Sequence, residues 1–333
     1  MGPPRIAPQI SYLAQQSWNA LGELGELVKT ASTNRAEFIQ ECRDGKFEGV
    51  VAAYRTFFSF EITGQMDEEL VSVLPSSLQY IASCGAGYDQ IDVHACSARR
   101  PPVRVSNVPT AVDDATADVN MFLILGALRN FNAGMHALRQ GKWRGQPAPP
   151  LGRDPRGKTL GILGMGGIGR NLQKKAEAFG MKVIYHNRRR LNEELSGGAR
   201  YVTFDELLST SDVLSLNLPL NKHTRHIIGK KEFAKMKDGV VVVNTARGAV
   251  MDETALVEAL ENGKVCSAGL DVFEEEPKIH PGLNSNLSVI LVPHMGTWTI
   301  ETFTAMEEWT IENIRLALTT GKLKSPVPEQ ADF

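Results

Sequence analysis

Residues 159–190 read TLGILGMGGIGRNLQKKAEAFGMKVIYHNRRR. The apolar run 160–163 predicts a fully buried strand. It enters Gly164-Met165-Gly166-Gly167-Ile168-Gly169, a match to G-x-G-x-x-G. Leu172, Ala176 and Phe179 then recur at helical spacing, Gly180 supplies a stop, and 182–185 begins a second strand. In such a frame the first glycine permits a tight turn, the second lets a pyrophosphate approach the backbone, and the third packs helix on strand. The helix N-terminus offers unpaired N–H groups and a positive dipole end to the phosphates. The stretch predicts a dinucleotide site whose loop residues are Gly164, Met165, Gly166, Gly167, Ile168 and Gly169.

The end of the second strand decides which dinucleotide. An NAD site places an acid about 20 residues past the glycines, on the adenosine 2′-hydroxyl. Here that place reads His186-Asn187-Arg188-Arg189-Arg190, without a carboxylate. Guanidinium groups bind a 2′-phosphate through charge-assisted, bidentate hydrogen bonds. The expectation is NADP(H), with Asn187, Arg188 and Arg189 among the cofactor residues.

Around this unit the 333 residues suffice for two domains. Hydrophobic content of 42%, charged content of 22% and a net charge of −2 fit a globular enzyme with no general pull toward nucleic acid or membrane. Cys42, Cys84, Cys96 and Cys266 are scattered and form no C-x-x-C pair, which argues against a structural metal and for a reducing compartment. The opening MGPPRIAPQI has no basic region followed by an apolar core, and the most apolar window, 119–128, is half the length of a membrane span. The expected location is cytoplasmic.

Before the dinucleotide unit, 21–30 and Arg35–Arg43 read as helices, 49–54 as a buried strand, 67–74 as a helix, and 78–83 and 103–107 as strands. That alternation implies a smaller parallel α/β unit. An almost entirely apolar helix begins at Asp113 and runs to 129, with its pattern continuing to 138; such a helix is buried in a core or between subunits. The Gly/Pro-rich 141–157 reads as an exposed loop. Beyond the unit, strands at 200–202, 212–218, Val240–Asn244, 268–272 and 289–292 suit a doubly wound sheet of six or seven strands, with helices at 231–235 and 254–263 between them. A last helix covers 299–318.

Three polar segments follow successive strands of that sheet: NTARG at 244–248, DVFEEEP at 271–277 and PHMGT at 293–297. Strand carboxyl ends point at one crevice, so Arg247, Glu276 and His294 are expected to converge. Arg247 suits a substrate carboxylate. His294 suits proton donation to a carbonyl oxygen, and Glu276 suits holding that imidazole protonated and oriented. His94, His136, His186, His223, His226 and His280 lack this placement and read as structural or surface residues.

These motifs, with CGAGYDQID at 84–92, identify the chain as similar to the D-isomer-specific 2-hydroxyacid dehydrogenases over nearly its full length. NVPTAVDDATAD, FLILGALRN, YHNRR, LDVFEEEPKI and PHMGT resemble most the glyoxylate/hydroxypyruvate reductase branch of eukaryotic microbes. The resemblance implies a catalytic trio of Arg247, Glu276 and His294, with the amides of Gly85, Ala86 and Gly87 on the substrate carboxylate. It also implies that Asp271 and Gly296 contact the nicotinamide amide and Thr116 the cofactor phosphates. Leu218, Pro219, Thr224, Thr245 and Ala246 complete the candidate cofactor residues, and no metal is expected. Family order implies a flavodoxin-like substrate-binding domain of residues 1–108 and 298–333, an NADP-binding Rossmann domain of 109–297, and a homodimer through the apolar helix.

The expected activity is NADPH-dependent reduction of a small 2-oxo acid to the D-2-hydroxy acid. Glu276 stands where formate dehydrogenases of this fold carry Gln, which disfavours them. Dinucleotide-sensing corepressors keep the trio, so a binding protein without turnover is the alternative from another class. Arg55 and Tyr88 favour glyoxylate, hydroxypyruvate or a 2-keto sugar acid such as keto-gulonate. Aromatic walls from Tyr54, Phe57, Phe58 and Trp298 suit aromatic 2-oxo acids instead.

Overall fold

A computed structural model describes residues 13–332 and the strand Arg5–Pro8. The chain divides into two units, Met1–Val112 with Trp298–Phe333, and Asp113–Thr297.

The second unit is built on seven parallel strands: β6 Thr159–Leu163, β7 Lys182–His186, β8 Arg200–Tyr201, β9 Val213–Leu216, β10 Val240–Asn244, β11 Val265–Leu270 and β12 Val289–Leu291. Their order is β12-β11-β10-β9-β6-β7-β8. Helices cover both faces of such a sheet, so its central strands are apolar on both sides; β10 reads VVVVN and every residue of it is buried. The order reverses between β6 and β9, and the carboxyl ends there form the crevice where α/β sheets bind ligands.

The helix Asp113–Leu128 packs against β10 and β11, burying Ala117, Met121, Leu123 and Ile124. It does not run on to 138. Asn130 adopts φ 51°, and a separate helix, Phe131–Arg139, follows it. Apolar periodicity hid this break, because asparagine enters the left-handed region at little cost and ends a helix without a glycine.

In the first unit five parallel strands take the order β2-β1-β3-β4-β5, with β1 Arg5–Pro8, β2 Glu26–Leu27, β3 Val50–Arg55, β4 Tyr80–Ser83 and β5 Arg104–Ser106. The helix expected at 21–30 is absent. Helix Gln15–Ala20 anchors Trp18 in the core, one 3-10 turn follows, and the chain then extends into edge strand β2. Gly22 and Gly25 explain this: each costs a helix interior about 1 kcal/mol relative to alanine. The long helix Ile300–Thr320 lies on β3 and β4, packing Ile311, Ile314 and Ala317 on Ala52, Tyr54 and Ala82. Its buried Glu307 accepts from the Leu13 and Ala14 amides at 2.7 and 2.8 Å.

Candidate functional site

In the second unit β6 delivers the chain to Gly164 at φ +99°, where a Cβ would lie 2.7 Å from the Asn217 carbonyl carbon. Only glycine lets the segment leaving β9 cross this close. The Met165 amide donates to Asn187 Oδ1 at 2.6 Å, which ties the loop to the end of β7. Open space surrounds Gly166, and no side chain caps the twelve-residue helix Gly167–Ala178 that starts beside it. Free amides, a dipole end and room for an anion are what a pyrophosphate requires. The residues present fit a dinucleotide.

At the end of β7, Asn187 spends its side-chain oxygen on Met165, while Arg188, Arg189 and Arg190 are exposed. None of these three guanidinium groups pairs with a carboxylate among the described residues. The histidine beside them is structural: His186 Nδ1 meets the Val202 carbonyl at 2.8 Å and the ring stacks on Tyr201.

Three loops, after β10, β11 and β12, carry the candidate trio. After β10 the buried Asn244 side chain accepts from the Ala246 amide and donates to the Arg247 carbonyl, at 3.0 and 2.9 Å, folding 245–247 back on itself. Gly248 then touches the Phe273–Glu274 peptide backbone to backbone, and any Cβ there overlaps it. Thus the segment bearing Arg247 is pressed onto the segment bearing Glu276. Glu253 Oε1 holds that second segment from behind through the Glu274 amide at 2.7 Å, and His226 pairs with the Glu274 carboxylate.

His294 Nδ1 lies 2.9 Å from Glu276 Oε2, and Glu276 Oε1 accepts from the Phe273 amide at 2.9 Å. Burial pushes the Glu276 carboxyl up, but His294's hydrogen bond and charge, the Phe273 amide and the charge of Arg247 hold it below the usual carboxylate range. Two members of the expected trio, His294 and Arg247, therefore act on the carboxylate of the third. His294 itself sits at φ 52°, in the left-handed region that a non-glycine residue occupies at a cost of about 1–3 kcal/mol. What holds it there is Asp271, 1% exposed, whose oxygens accept from the Met295 and Gly296 amides at 2.5 and 2.9 Å. Burial pushes the Asp271 carboxyl up. A Cβ on Gly296 would lie 3.1 Å from Asp271 Oδ2 and 3.2 Å from Thr116 Cγ2, so Thr116, Asp271 and Gly296 are neighbours.

Leu218 is buried, and the Thr224 hydroxyl donates to the Pro219 carbonyl at 2.7 Å, closing their loop on itself. Thr245 is 7% exposed and accepts from Asn120 Nδ2 at 2.9 Å. Neither Asn120 nor Asn244 stood out in the sequence. A lone amide inside the apolar run VNMFLIL was the available signal for Asn120.

In the first unit the Gly85–Gly87 segment follows β4. The Gly85 amide already donates to the Ser83 carbonyl at 3.1 Å, leaving the Ala86 and Gly87 amides for a ligand. Arg55 is 5% exposed; its guanidinium donates to Gln90 Oε1 at 2.9 Å and to the Gly64 carbonyl at 3.2 Å, and its Nε has no partner among the described residues. Burial pulls its pKa down to about 10. It borders an apolar cavity of about 80 Å³ lined by Phe38, Phe47, Met66 and Ile81. Tyr54 lines the same cavity as Arg55 and is otherwise core, its ring 5.2 Å from that of Trp18, while Tyr88 is held by an acid, donating to Glu329 at 2.9 Å. Trp298 is 57% exposed and lies edge-on to Phe58 and Phe303. No group of three or more potential metal ligands occurs among the described residues, and none of their helices is long and apolar enough to cross a membrane.

Comparison with known proteins bears on this arrangement. Residues 121–296 match the family model described as D-isomer specific 2-hydroxyacid dehydrogenase, NAD binding domain. A 4-methyl-2-oxopentanoate reductase A of Aspergillus oryzae is 55% identical over 317 residues, 95% of this chain and 95% of its own. Glyoxylate reductase 1 of Saccharomyces cerevisiae is 48% identical over 321 residues, covering 94% and 91%. Among solved structures, a glyoxylate reductase from Paecilomyes thermophila superposes with a TM-score of 0.95 at 51% identity, covering 99% of this chain and 100% of its own.

Proposed function

The chain belongs to the D-isomer-specific 2-hydroxyacid dehydrogenase family of oxidoreductases, which use a nicotinamide dinucleotide, and from that premise we propose that it reduces a small 2-oxo acid to the D-2-hydroxy acid with NADPH. The observation that carries the reading is the His294 Nδ1–Glu276 Oε2 pair at 2.9 Å, with the charge of Arg247 acting on the same carboxylate.

His294 gives its proton to the substrate carbonyl oxygen as that oxygen gains negative charge. Glu276 favours the protonated ring and fixes its orientation through Nδ1, leaving Nε2 for the substrate. Arg247 binds the substrate carboxylate and draws charge from the adjacent carbonyl. The first unit's own candidate donors to a carboxylate are the Ala86 and Gly87 amides. A bound nicotinamide supplies hydride to the carbonyl carbon. Gly164–Gly169 hold the pyrophosphate, Thr116, Leu218, Pro219, Thr224, Thr245, Ala246, Asp271 and Gly296 line the rest of the dinucleotide, and Arg188 and Arg189 bind a 2′-phosphate. That last assignment rests on their exposure at the end of β7 and on the absence of a competing acid in 186–190.

Glyoxylate and hydroxypyruvate are the first substrates to test, and the yeast relative's name supports them. A branched aliphatic 2-oxo acid is the second reading, favoured by the Aspergillus relative's name and by exposed Phe57, Phe58 and Trp298. In this reading the first unit binds substrate and the second binds cofactor. Phe122, Phe131, Met135 and Leu138, all exposed on the helices Asp113–Leu128 and Phe131–Arg139, form the face of a homodimer. Four free cysteines suit a reducing cytoplasm.

The test is a panel of 2-oxo acids assayed with NADPH and NADH side by side, with His294→Ala as control. Turnover of one or more of these acids with NADPH, lowered by several orders of magnitude in the variant, is expected. Turnover with NADH alone would remove the arginine argument, and dinucleotide binding with no turnover of any acid would leave a sensor rather than an enzyme.

A further inference from the structure

Beneath the crevice of the second unit lies a closed polar cluster. Asn120, from the middle of helix Asp113–Leu128, is fully buried. Its Nδ2 is 2.9 Å from Thr245 Oγ1, 3.0 Å from Asn217 Oδ1 and 3.0 Å from Ser215 Oγ. Ser215 Oγ lies 3.1 Å from Asn120 Oδ1, and Asn217 Nδ2 lies 2.8 Å from Ser215 Oγ. One amide from a helix thus gathers the ends of β9 and β10.

Counting hydrogens shows what this cluster does. Ser215 has a single hydroxyl hydrogen, and Asn120 Oδ1 can only accept, so Ser215 donates to it. Asn217 Nδ2 in turn donates to Ser215 Oγ. The two hydrogens on Asn120 Nδ2 then go to Asn217 Oδ1 and Thr245 Oγ1, and every buried member is satisfied. Thr245 Oγ1 is left as an acceptor on its inner side. Among the described residues nothing takes its own hydrogen. The hydroxyl is obliged to donate away from the cluster.

We infer that Asn120 is a positioning residue that orients the Thr245 hydroxyl as a fixed donor to an oxygen on the nicotinamide half of the bound dinucleotide. The inference rests on the proposed cofactor reading. Strand order selects that half: β10 stands two strands from β6, about 10 Å at the usual strand spacing, on the side away from β7 and its arginines. With the pyrophosphate at β6 and the adenosine at β7, the nicotinamide lies toward β10. Asn217 extends the same cluster to the Gly164 turn, which it touches backbone to backbone. An amide inside an apolar helix is thereby explained, since a leucine there would pack better but would leave the hydroxyl free to turn inward.

Equilibrium titration of the purified chain with NADPH, followed by intrinsic fluorescence, tests this without turnover. Thr245→Val, which keeps the shape and loses the donor, should weaken NADPH about tenfold. Thr245→Ser should restore binding to within about twofold of the original, since it returns the hydroxyl. Adenosine 2′,5′-bisphosphate, which lacks the nicotinamide half, should bind all variants alike. Asn120→Leu should weaken NADPH severalfold, and adding it to Thr245→Val should cost nothing further, because the two act through one hydrogen bond. If Asn120→Leu does not fold, Ser215→Ala removes the bond that orients Asn120, and the same non-additivity is read there. Undiminished NADPH binding by Thr245→Val, equal weakening of the bisphosphate, or additive losses overturn the inference. Failure of the unmodified chain to bind NADPH or NADH would instead overturn the cofactor reading and the inference with it.

Discussion

Replacing Gly248 by alanine puts a methyl group where the Phe273 carbonyl and the Glu274 nitrogen already stand. Ordinary contact needs 3.4–4 Å, and both neighbours are backbone, so no rotamer change relieves the overlap. The two segments have to part by roughly 1 Å or more, and a 1 Å misplacement of catalytic groups costs on the order of a hundredfold in rate. Arg247 moves with one segment and Glu276 with the other, while His294 follows Glu276 through Nδ1. Overpacking of this kind also lowers stability by about 1–3 kcal/mol. The three atoms nearest the methyl all belong to Phe273 and Glu274 rather than to the Gly164–Gly169 loop. Expected, then, is a kcat/KM for the 2-oxo acid reduced about a hundredfold, with affinity for adenosine 2′,5′-bisphosphate changed less than about threefold and the urea midpoint lowered. Steady-state reduction followed by nucleotide absorbance, beside a bisphosphate titration and urea unfolding, reads all three. Near-original kcat/KM would show that the contact between the two segments does not set the geometry of the trio.

Glu276→Gln removes the charge that favours a protonated His294. Glu276 Oε2 faces His294 Nδ1 at 2.9 Å, and an opposite charge at that distance favours the charged form of a proton donor. The pH profile of reduction should therefore move to lower pH, as rates measured across pH 5–9 would show; an unmoved profile would refute the coupling. Replacing Arg188 and Arg189 together by alanine should weaken NADPH at least about tenfold while leaving NADH unchanged, and parallel titrations with the two dinucleotides separate these outcomes. Burial pushes the Asp113 carboxyl up to about 6 from 3.8, with Arg170 opposing. The folded state thus holds this proton more tightly than the unfolded chain, and stability falls as pH rises between those values. Asp113→Asn should remove that loss, about 1 kcal/mol after allowance for partial exposure, seen as a smaller drop in unfolding free energy from pH 4 to pH 7.5. Parallel curves would argue against it.

Much of this was legible in residue order because period and spacing are local properties. The β6–helix–β7 unit and strand β10 lie where glycine placement and apolar runs put them, within a residue or two. Helix Arg35–Arg43 lies at the bounds its pattern gave. Reading failed where a non-local contact or a single dihedral won. Within 21–30 one 3-10 turn gives way to Glu26–Leu27 pairing with β1, and the apolar helix breaks at Asn130.

Residue order alone determined that a dinucleotide fold is present, that no acid ends β7, and that Arg247, Glu276 and His294 stand at strand ends. It did so because hydrophobic period, turn chemistry and charge are carried by neighbours along the chain. Only the tertiary structure decided which atoms face each other: Asn187 on Met165, Gly248 against Phe273, Asp271 beneath the turn that holds His294, and Asn120 beneath Thr245. Those pairings join residues tens to more than a hundred positions apart. Their satisfaction depends on the direction of individual hydrogens and on gaps of a few tenths of an ångström, which no pattern of residue types along a chain encodes.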